Sequence, residues 1–404
     1  MRSSTVFALS MCVLGGAAAV SADDRPIDCS RRSLAEAVNA DGGRGRSRDG
    51  DEDRTIRFTG VCAGPIVIRT DGISLQGVGT AIIDGGAAAD AVTVSGASRV
   101  SLSSFEVRNG VNGILATNGA HVTLDGVNAH DNFVFGISLQ TASSAVLSDV
   151  TTSQNGVHGL DLETGSAAEV TGALTVAGNR VFGVNVNGSS ITFSRATALV
   201  SGNALGIQIA TSANAFINDR DTVINVTNNF STGLTVVSGA HMVSFGGTIN
   251  ASGNPANGVS VNSKGGLDLD AASALNAFNN GDGVVVQEDS VMTVFNTPQF
   301  SGAPGFSTIN AHNNTGTGVR VQSGSTITLV NQARIISTQN GRVGFLADNG
   351  VGATLVNSTI TGNTVRDLQF TFGTRADLQT LTFGSYTCDA TVLVRGTSGV
   401  VCPH

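Results

Sequence analysis

One short stretch of this chain places a histidine and two carboxylates within six positions. Residues 155–163 read NGVHGLDLE and supply His158, Asp161 and Glu163. Carboxylates two residues apart on a strand have Cα atoms about 6.6 Å apart, so their carboxyl groups could fall within the range of about 5 to 9.5 Å used in glycosidic hydrolysis. They could instead share a Ca²⁺ ion with nearby amide oxygens, and His158 could serve as a general acid or base. Which chemistry applies depends on the elements that position these side chains.

These residues belong to a repeat that recurs along most of the chain. Its signature is Asn-x-x-x-Gly followed by an apolar residue, with successive Asn residues 23 to 35 positions apart. We expect the Asn amides to stack at one corner of a repeating structure, and the Gly to allow a tight turn or a positive φ. One copy is a residue short, from Asn203 to Gly206, and in the last copy Asp367 replaces the Gly. The Asn residues of the predicted ladder are Asn109, Asn132, Asn155, Asn179, Asn203, Asn229, Asn254, Asn279, Asn314, Asn340 and Asn363.

Each repeat contains three short stretches in which apolar and polar residues alternate. In the repeat of His158 they read LDLE, AEVTG and LTVAG. A period of two indicates strands, and the Gly, Asn and Ser residues between them are typical of turns. Three strands per repeat predict an all-β parallel β-helix of about 11–13 coils. Each repeat would wind one coil, and successive coils would pair at about 4.8 Å.

The chain resembles the right-handed parallel β-helix proteins of the pectin-lyase-like superfamily. Two motifs carry the resemblance: GPIVIRTDGISLQGVGTAIIDGG in the first coils, and the repeated Asn-x-x-x-Gly with a following Ile, Val or Leu. The stretch SLAEAVN is similar to the short amphipathic helix that caps such solenoids, and would cover the core with Leu34, Ala37 and Val38. Lyases, hydrolases, epimerases, adhesins and proteins of no known activity share this superfamily, so the resemblance implies fold rather than function.

The chain divides into four segments in this interpretation. Residues 1–22 combine Arg2, an apolar run and small residues, which is typical of a secretory signal peptide cleaved after Ala22. Residues 23–54 hold the capping helix and a charged loop, residues 55–370 form the β-helix, and residues 371–404 form a C-terminal cap. The apolar run is shorter than the about 20 residues of a membrane span. We therefore expect a secreted, periplasmic or cell-envelope protein that is not inserted in a membrane.

Four cysteines remain after removal of the predicted signal peptide: Cys29, Cys62, Cys388 and Cys402. An even number of cysteines in an exported chain predicts disulfides. Three pairings are open from the sequence, and in one of them both bridges are local, each near one end of the chain.

Composition limits the choice of partner. After removal of Arg2 the chain carries 21 Arg and Lys against 30 Asp and Glu. This mild acidity argues against nucleic acid or an anionic membrane surface. The absence of Trp and the single Tyr weaken the case for stacking neutral sugars on aromatic rings. We expect a monomer whose partner could be a polysaccharide.

The period of two also sorts the strand that follows each Gly of the repeat. Leu160 and Leu162 are predicted to face the core, so Asp161 and Glu163 face outward. Stacking extends these two positions into a continuous outer face of amides, hydroxyls and two carboxylates. We predict no cofactor and no metal, with Ca²⁺ as the ion that the carboxylates could share. The predicted ligand-binding residues are Ser138, Gln140, Asp161, Glu163, Asn185, Asn187 and Gln208.

The catalytic patterns that the resemblance implies do not map onto this face. The three clustered Asp residues and the Gly-His-Gly of polygalacturonase-like enzymes are absent, as is the Asp-Pro-His-Glu of alginate epimerases. The outward Arg of the row, Arg320, lies several coils from Asp161. A second acidic pair, Asp268 and Asp270 in GLDLD, occupies another strand position and is expected on another face.

Two functions remain open from the sequence. The first is a non-catalytic extracellular or cell-envelope scaffold whose polar face contacts a saccharide or another surface. The second is a polysaccharide lyase, epimerase or hydrolase with an active site around His158, Asp161 and Glu163. A cleft over Asp161 with a basic group nearby would favour the enzyme.

Overall fold

The computed structural model describes residues 25–40, 53–297, 305–397 and 399–403. The predicted signal peptide, residues 1–22, lies outside them, as does most of the charged loop that follows the capping helix. Among the described residues, no helix has the length and apolar character that a membrane crossing requires.

The chain winds as a parallel β-solenoid of about 13 coils with three strands to a coil, which confirms the predicted fold. We call the three sides of the coil the first, second and third faces, in the order of their strands. Within the described residues, the first face is a fourteen-stranded parallel sheet. Its strands are Ile66–Ile68, Val92–Ser95, Ile114–Thr117, Phe135–Leu139, His158–Leu162, Phe182–Asn187, Leu205–Ala210, Leu234–Val236, Asn257–Val261, Asp282–Val286, Val319–Gln322, Val343–Asp348, Arg366–Phe370 and Tyr386–Cys388.

The second and third faces share one twenty-eight-stranded sheet. Ile27–Asp28 pairs with Arg54–Ala63, and Arg54–Ala63 and Ile73–Asp84 each run over both faces. The second face continues through Val100–Ser103, His121–Asp125, Ser144–Ser148, Ala167–Val170, Ser190–Phe193, Asn214–Ile217, His241–Phe245, Gly266–Asp270, Val291–Val294, Thr326–Leu329, Gly352–Val356, Arg375–Gln379 and Leu393–Gly396. The third face continues through Glu106–Arg108, Asn128–His130, Val150–Ser153, Ala173–Ala177, Thr197–Ser201, Val223–Thr227, Thr248–Ser252, Ala274–Phe278, Ser307–His312, Ala333–Thr338, Thr359–Thr361 and Thr382–Phe383.

Apolar side chains from all three faces fill one continuous core along the solenoid. Leu160 and Leu162 from the first face, Val170 from the second and Leu174 from the third are fully buried in the same coil. Burial of such side chains stabilises each by about 1.5–3 kcal/mol relative to exposure. The core is therefore built coil by coil, and each coil completes the burial of its neighbours.

The corner Asn residues form the predicted ladder, with two corrections. Asn179 Oδ1 accepts hydrogen bonds from the backbone N–H and the side-chain amide of Asn155, at 3.0 and 2.9 Å. The ladder uses Asn280, not Asn279, because Asn279 is the residue with positive φ before the ladder position. Asn109 is also outside the ladder, since its amide donates to Asp84. The ladder residues are Asn132, Asn155, Asn179, Asn203, Asn229, Asn254, Asn280, Asn314, Asn340 and Asn363.

The Gly of the repeat is required by close packing, and the expectation that it provides a positive φ is wrong. Gly159 is not among the residues with positive φ; that conformation falls on Gln154, just before the ladder Asn. A Cβ on Gly159 would lie 2.6 Å from Thr152 Oγ1 and 2.7 Å from the amide nitrogen of Asn179. The corner has no room for a side chain, because the ladder amide of the next coil already occupies it.

Asp367 stands where the ladder ends. Its Oδ1 accepts from the backbone and side-chain N–H groups of Asn363 at 3.1 and 2.9 Å, and its Oδ2 accepts from the backbone of Gly384 and Ser385. A carboxylate accepts only, so it satisfies the last amide donors without requiring a further coil. This accounts for the one copy of the repeat in which the Gly is replaced.

Both ends of the solenoid are covered and cross-linked. The helix Leu34–Asn39 buries Leu34, Ala37 and Val38 against the first coils, as predicted, and Ser33 caps it by accepting from the Glu36 N–H. Disulfides join Cys29 to Cys62 and Cys388 to Cys402, so the local pairing is the one present.

Candidate functional site

The predicted ligand-binding residues lie in two adjacent rows on the outer side of the first face. Strand pairing places Ser138 beside Asp161, Asp161 beside Asn185, and Asn185 beside Gln208. The second row, two residues further along each strand, contains Gln140, Glu163 and Asn187. The structure therefore brings together all seven residues in four consecutive coils.

Asp161 is on the outer side of its strand, but it is not exposed to solvent. Its side chain is 0% exposed, although Leu160 and Leu162 on either side face the core. Coils about 4.8 Å apart bring neighbouring side chains into contact. Oδ1 of Asp161 accepts from the Asn185 amide at 2.9 Å, and Oδ2 lies 3.4 Å from the Ser138 hydroxyl. Asp161 therefore lies on the outer side as predicted, but the coils above and below cover it.

The second row and the last residue of the first row, Gln208, stay partly exposed. We call Gln140, Glu163, Asn187 and Gln208 the exposed row, because all four retain solvent contact. The Gln140 amide donates to the Ser138 hydroxyl at 3.1 Å, and the Gln208 amide donates to Oδ1 of Asn185 at 3.3 Å. The outer face thus presents amides and one carboxylate, and two of the amides, those of Gln140 and Gln208, are held by hydrogen bonds to the layer beneath them.

His158 lies beside Asp161 in an aromatic stack. Its ring is sandwiched between Phe135 and Phe182 of the adjacent coils, with centroids 5.2 and 4.9 Å away. Nδ1 accepts the backbone N–H of Phe182 at 3.2 Å, so in the neutral ring Nε2 carries the proton. That Nε2 lies 4.0 Å from Asp161 Oδ1. At this distance His158 and Asp161 are adjacent but not hydrogen-bonded to each other.

Burial shifts the pKa values of His158 and Asp161 in opposite directions. Removal from water disfavours the imidazolium and lowers the pKa of His158 to about 4. Burial also raises the pKa of Asp161 to about 7, opposed by the Asn185 hydrogen bond and assisted by the negative charge of Glu163. Near neutral pH the pair therefore consists of a neutral imidazole and a carboxyl that is close to half protonated.

The remaining acidic pair and histidines belong to other faces. Asp268 and Asp270 lie on the second face, as expected. Asp268 accepts from His241 at 3.2 Å and raises the pKa of that histidine, while buried Asp270 accepts the Thr297 N–H at 2.7 Å. Arg320 is paired with Asp282 at 2.8 Å. Among the described residues there is no group of three His, Cys, Asp or Glu side chains that could hold a metal.

Sequence reasoning missed a second row of asparagines. Asn225, Asn250, Asn276 and Asn310 lie on the outer side of the third face. The side-chain amides of the last three each donate to the Oδ1 of the preceding Asn, at 2.7–2.9 Å. Their signal is present in the sequence as INVT, INAS, LNAF and INAH at the repeat spacing. The sequence analysis followed the corner Asn residues, which have Gly partners at a fixed spacing, and did not single out this second Asn repeat.

Comparison with known proteins places the fold. Residues 56–205 match the family described as right handed beta helix region. The match covers the N-terminal half of the solenoid, and the fold of the chain is a parallel β-helix. No curated protein matches this β-helix protein significantly.

Solved structures with related folds include three alginate-modifying enzymes. The A-module of mannuronan C-5 epimerase AlgE6 from Azotobacter vinelandii is 16% identical, with a TM-score of 0.43 over 89% of this chain and 93% of that one. The AlgE4 A-module from the same organism is 13% identical, with a TM-score of 0.37 over 92% of each chain. A double mutant of the periplasmic alginate epimerase AlgG is 12% identical, with a TM-score of 0.31 over 82% and 77%. Because these sequence identities and TM-scores are so low, the activities of the three enzymes are not assigned to this chain.

Proposed function

We propose that this β-helix protein is an exported, non-catalytic scaffold that contacts a polysaccharide through the outer side of its first face. One observation carries the proposal: Asp161, the central carboxyl of the face, is fully buried and hydrogen-bonded within the protein. A group that donates or abstracts a proton must come within hydrogen-bond reach of its substrate. Asp161 is covered, whereas Glu163 and the amides beside it are accessible.

The exposed row suits a hydroxyl-rich polymer. Gln140, Asn187 and Gln208 each offer an amide that both donates and accepts, and Glu163 accepts. Each is held by the coil spacing of about 4.8 Å. A linear saccharide lying along the solenoid axis would meet one polar group per coil, which is an arrangement for repeated weak contacts.

Export is supported by the cross-links at both ends. Disulfides persist in oxidising compartments and are rare in the cytosol. The bridges Cys29–Cys62 and Cys388–Cys402 are therefore consistent with a secreted, periplasmic or cell-envelope location.

The alternative is a polysaccharide lyase, epimerase or hydrolase that uses His158 and Asp161. The observation that favours it is the 4.0 Å approach of His158 Nε2 to a carboxyl whose pKa burial raises to about 7. Shifted pairs of this kind are frequent at catalytic sites. Catalysis would require the Ser138 and Asn185 side chains to move so that a substrate could reach Asp161.

A binding screen with matched variants tests the proposal. The mature protein is titrated with uronate-containing and neutral polysaccharides, and the strongest ligand is measured against Glu163→Gln and Glu169→Gln. These two glutamates belong to the same coil, but Glu169 is exposed on the second face. We expect Glu163→Gln to weaken binding and Glu169→Gln to leave it unchanged. Equal effects of the two substitutions, or no ligand among the panel, would reject the first face as the contact surface.

A further inference from the structure

A second polar site lies on the second face of the solenoid, near the C-terminal end of the chain. A cavity of about 500 Å³ opens on the outer side of the second face, where four consecutive strands end the sheet. Its volume lies within the range of about 300–1,000 Å³ that is usual for small-ligand sites. The cavity shares no residue with the site on the first face.

Strand register explains why a depression forms here. Gly352 pairs with Arg375, and Arg375 pairs with Leu393 on the last strand of the face. Gly352 contributes no side chain to the outer surface, so the long side chains beside it wall a hollow. An added Cβ at Gly352 would find its nearest neighbours 3.4 Å away or more, which is ordinary contact.

The charges in the cavity are arranged for an anion that also carries hydroxyls. Arg375 and Arg395 both line it, and neither forms an ion pair with any described residue. Asp377 lies beside Arg395 across the strand pair and accepts from Gln379 at 3.3 Å. Thr326 and Thr354 add hydroxyl groups to the wall. A guanidinium presents its donors in a fork that matches a carboxylate.

We propose that this cavity binds a carboxylate-bearing sugar residue. The two guanidinium groups would hold the carboxylate, and Asp377 with the threonines would contact ring hydroxyls. Two arginines in one hollow, neither in an ion pair with a described residue, contrast with a chain whose net charge is −8. The inference does not depend on saccharide binding at the first face.

The test compares binding of oligogalacturonate with binding of its methyl ester, which has the same backbone without the charge. The full mature protein is titrated at low salt, together with the double variant Arg375→Gln/Arg395→Gln. A matched control is Arg342→Gln/Arg366→Gln, two exposed arginines in neighbouring coils outside the cavity. A third variant, Gly352→Val, fills the hollow without changing any charge.

We expect the acidic oligomer to bind and the ester to bind at least about tenfold more weakly, because charge-assisted hydrogen bonds are lost. The cavity double variant and Gly352→Val should each reduce affinity for the acid by at least about tenfold, while the control keeps it. Equal losses in the cavity and control variants, or unchanged binding in Gly352→Val, would overturn the inference. Loss of binding in Glu163→Gln with the cavity variants intact would instead place all recognition on the first face.

Discussion

Asp161 and His158 have environments that oppose their charged forms, although the two groups carry opposite charges. Burial raises the pKa of Asp161 from 3.8 to about 7 and lowers that of His158 from 6.5 to about 4. Asp161 therefore contributes stability that is fully present below about pH 4 and is lost as the pH rises to about 7. His158 contributes stability that is present above about pH 6.5 and is lost as the pH falls to about 4. Between pH 4 and 6.5 the two contributions offset each other.

Replacing Asp161 by Asn should reveal the pH-dependent contribution of His158 to stability. Asparagine keeps the shape and can accept from Asn185, but it does not titrate. The free energy of unfolding of Asp161→Asn relative to the wild type should rise with pH between about 4 and 7, by up to about 1.4 kcal/mol per pH unit. Urea unfolding monitored at several pH values measures this difference.

His158→Phe is the complementary change, because it keeps the aromatic stack with Phe135 and Phe182 and removes the titrating ring. Its stability relative to the wild type should fall as the pH rises from about 4 to 6.5. Slopes of the same sign in the two variants would contradict the assignment of a buried carboxyl and a buried neutral imidazole.

At this scale the sequence predicted which side of the strand each residue occupies, but not its exposure. The alternation of Leu160, Asp161 and Leu162 is a property of one strand. The burial of Asp161 depends on Ser138 and Asn185, which are 23 and 24 residues away and become neighbours only when the coils stack. Periodicity within a strand contains no information about the size of those neighbours.

The corner of each coil combines three positional requirements. A residue with positive φ turns the chain, the next residue is the ladder Asn, and three or four residues later a Gly leaves space for the ladder amide of the following coil. The sequence predicted the Asn and the Gly from their spacing. The four-residue spacing to Gly283 selected Asn279, but the ladder residue of this coil is Asn280, which lies only three residues before that Gly.

Gly159→Ala should destabilise the protein by about 1–3 kcal/mol, because the new methyl group would overlap Thr152 and the ladder amide of Asn179. Gly352→Ala is the matched control, since Gly352 is partly exposed and has room for a Cβ. This substitution should change stability by less than about 0.5 kcal/mol. The denaturant midpoints of the two variants measure this difference in stability. Equal midpoints would show that the corner Gly is not selected by close packing.

The whole molecule is a stack in which every coil contacts only its neighbours, so its ends are its weakest parts. The capping helix and two disulfides protect those ends. The sequence predicted this architecture well, because a repeat that occurs about ten times averages out local ambiguity. It could not predict the cavity beside Arg375 and Arg395, since that hollow arises from Gly352 and the last strand coming together across coils.

Removal of the N-terminal bridge by Cys29→Ser/Cys62→Ser should cost about 3–4 kcal/mol of stability in the first coils, given a separation of 33 residues. Hydrogen exchange should show faster opening of the strands Arg54–Ala63 and Ile66–Ile68, while central strands such as His158–Leu162 keep their protection. Uniform loss of protection along the chain would contradict independent behaviour of the coils.

The central claim is that the first face binds a saccharide without converting it. Proton NMR of a bound oligosaccharide tests both halves at once, because line broadening reports contact and new unsaturated, epimerised or reducing-end signals report turnover. We predict broadening that weakens in Glu163→Gln, persists in Glu169→Gln, and is accompanied by no new signals over prolonged incubation. New product signals that form with the wild type and disappear with Asp161→Asn would contradict the claim and identify an enzyme.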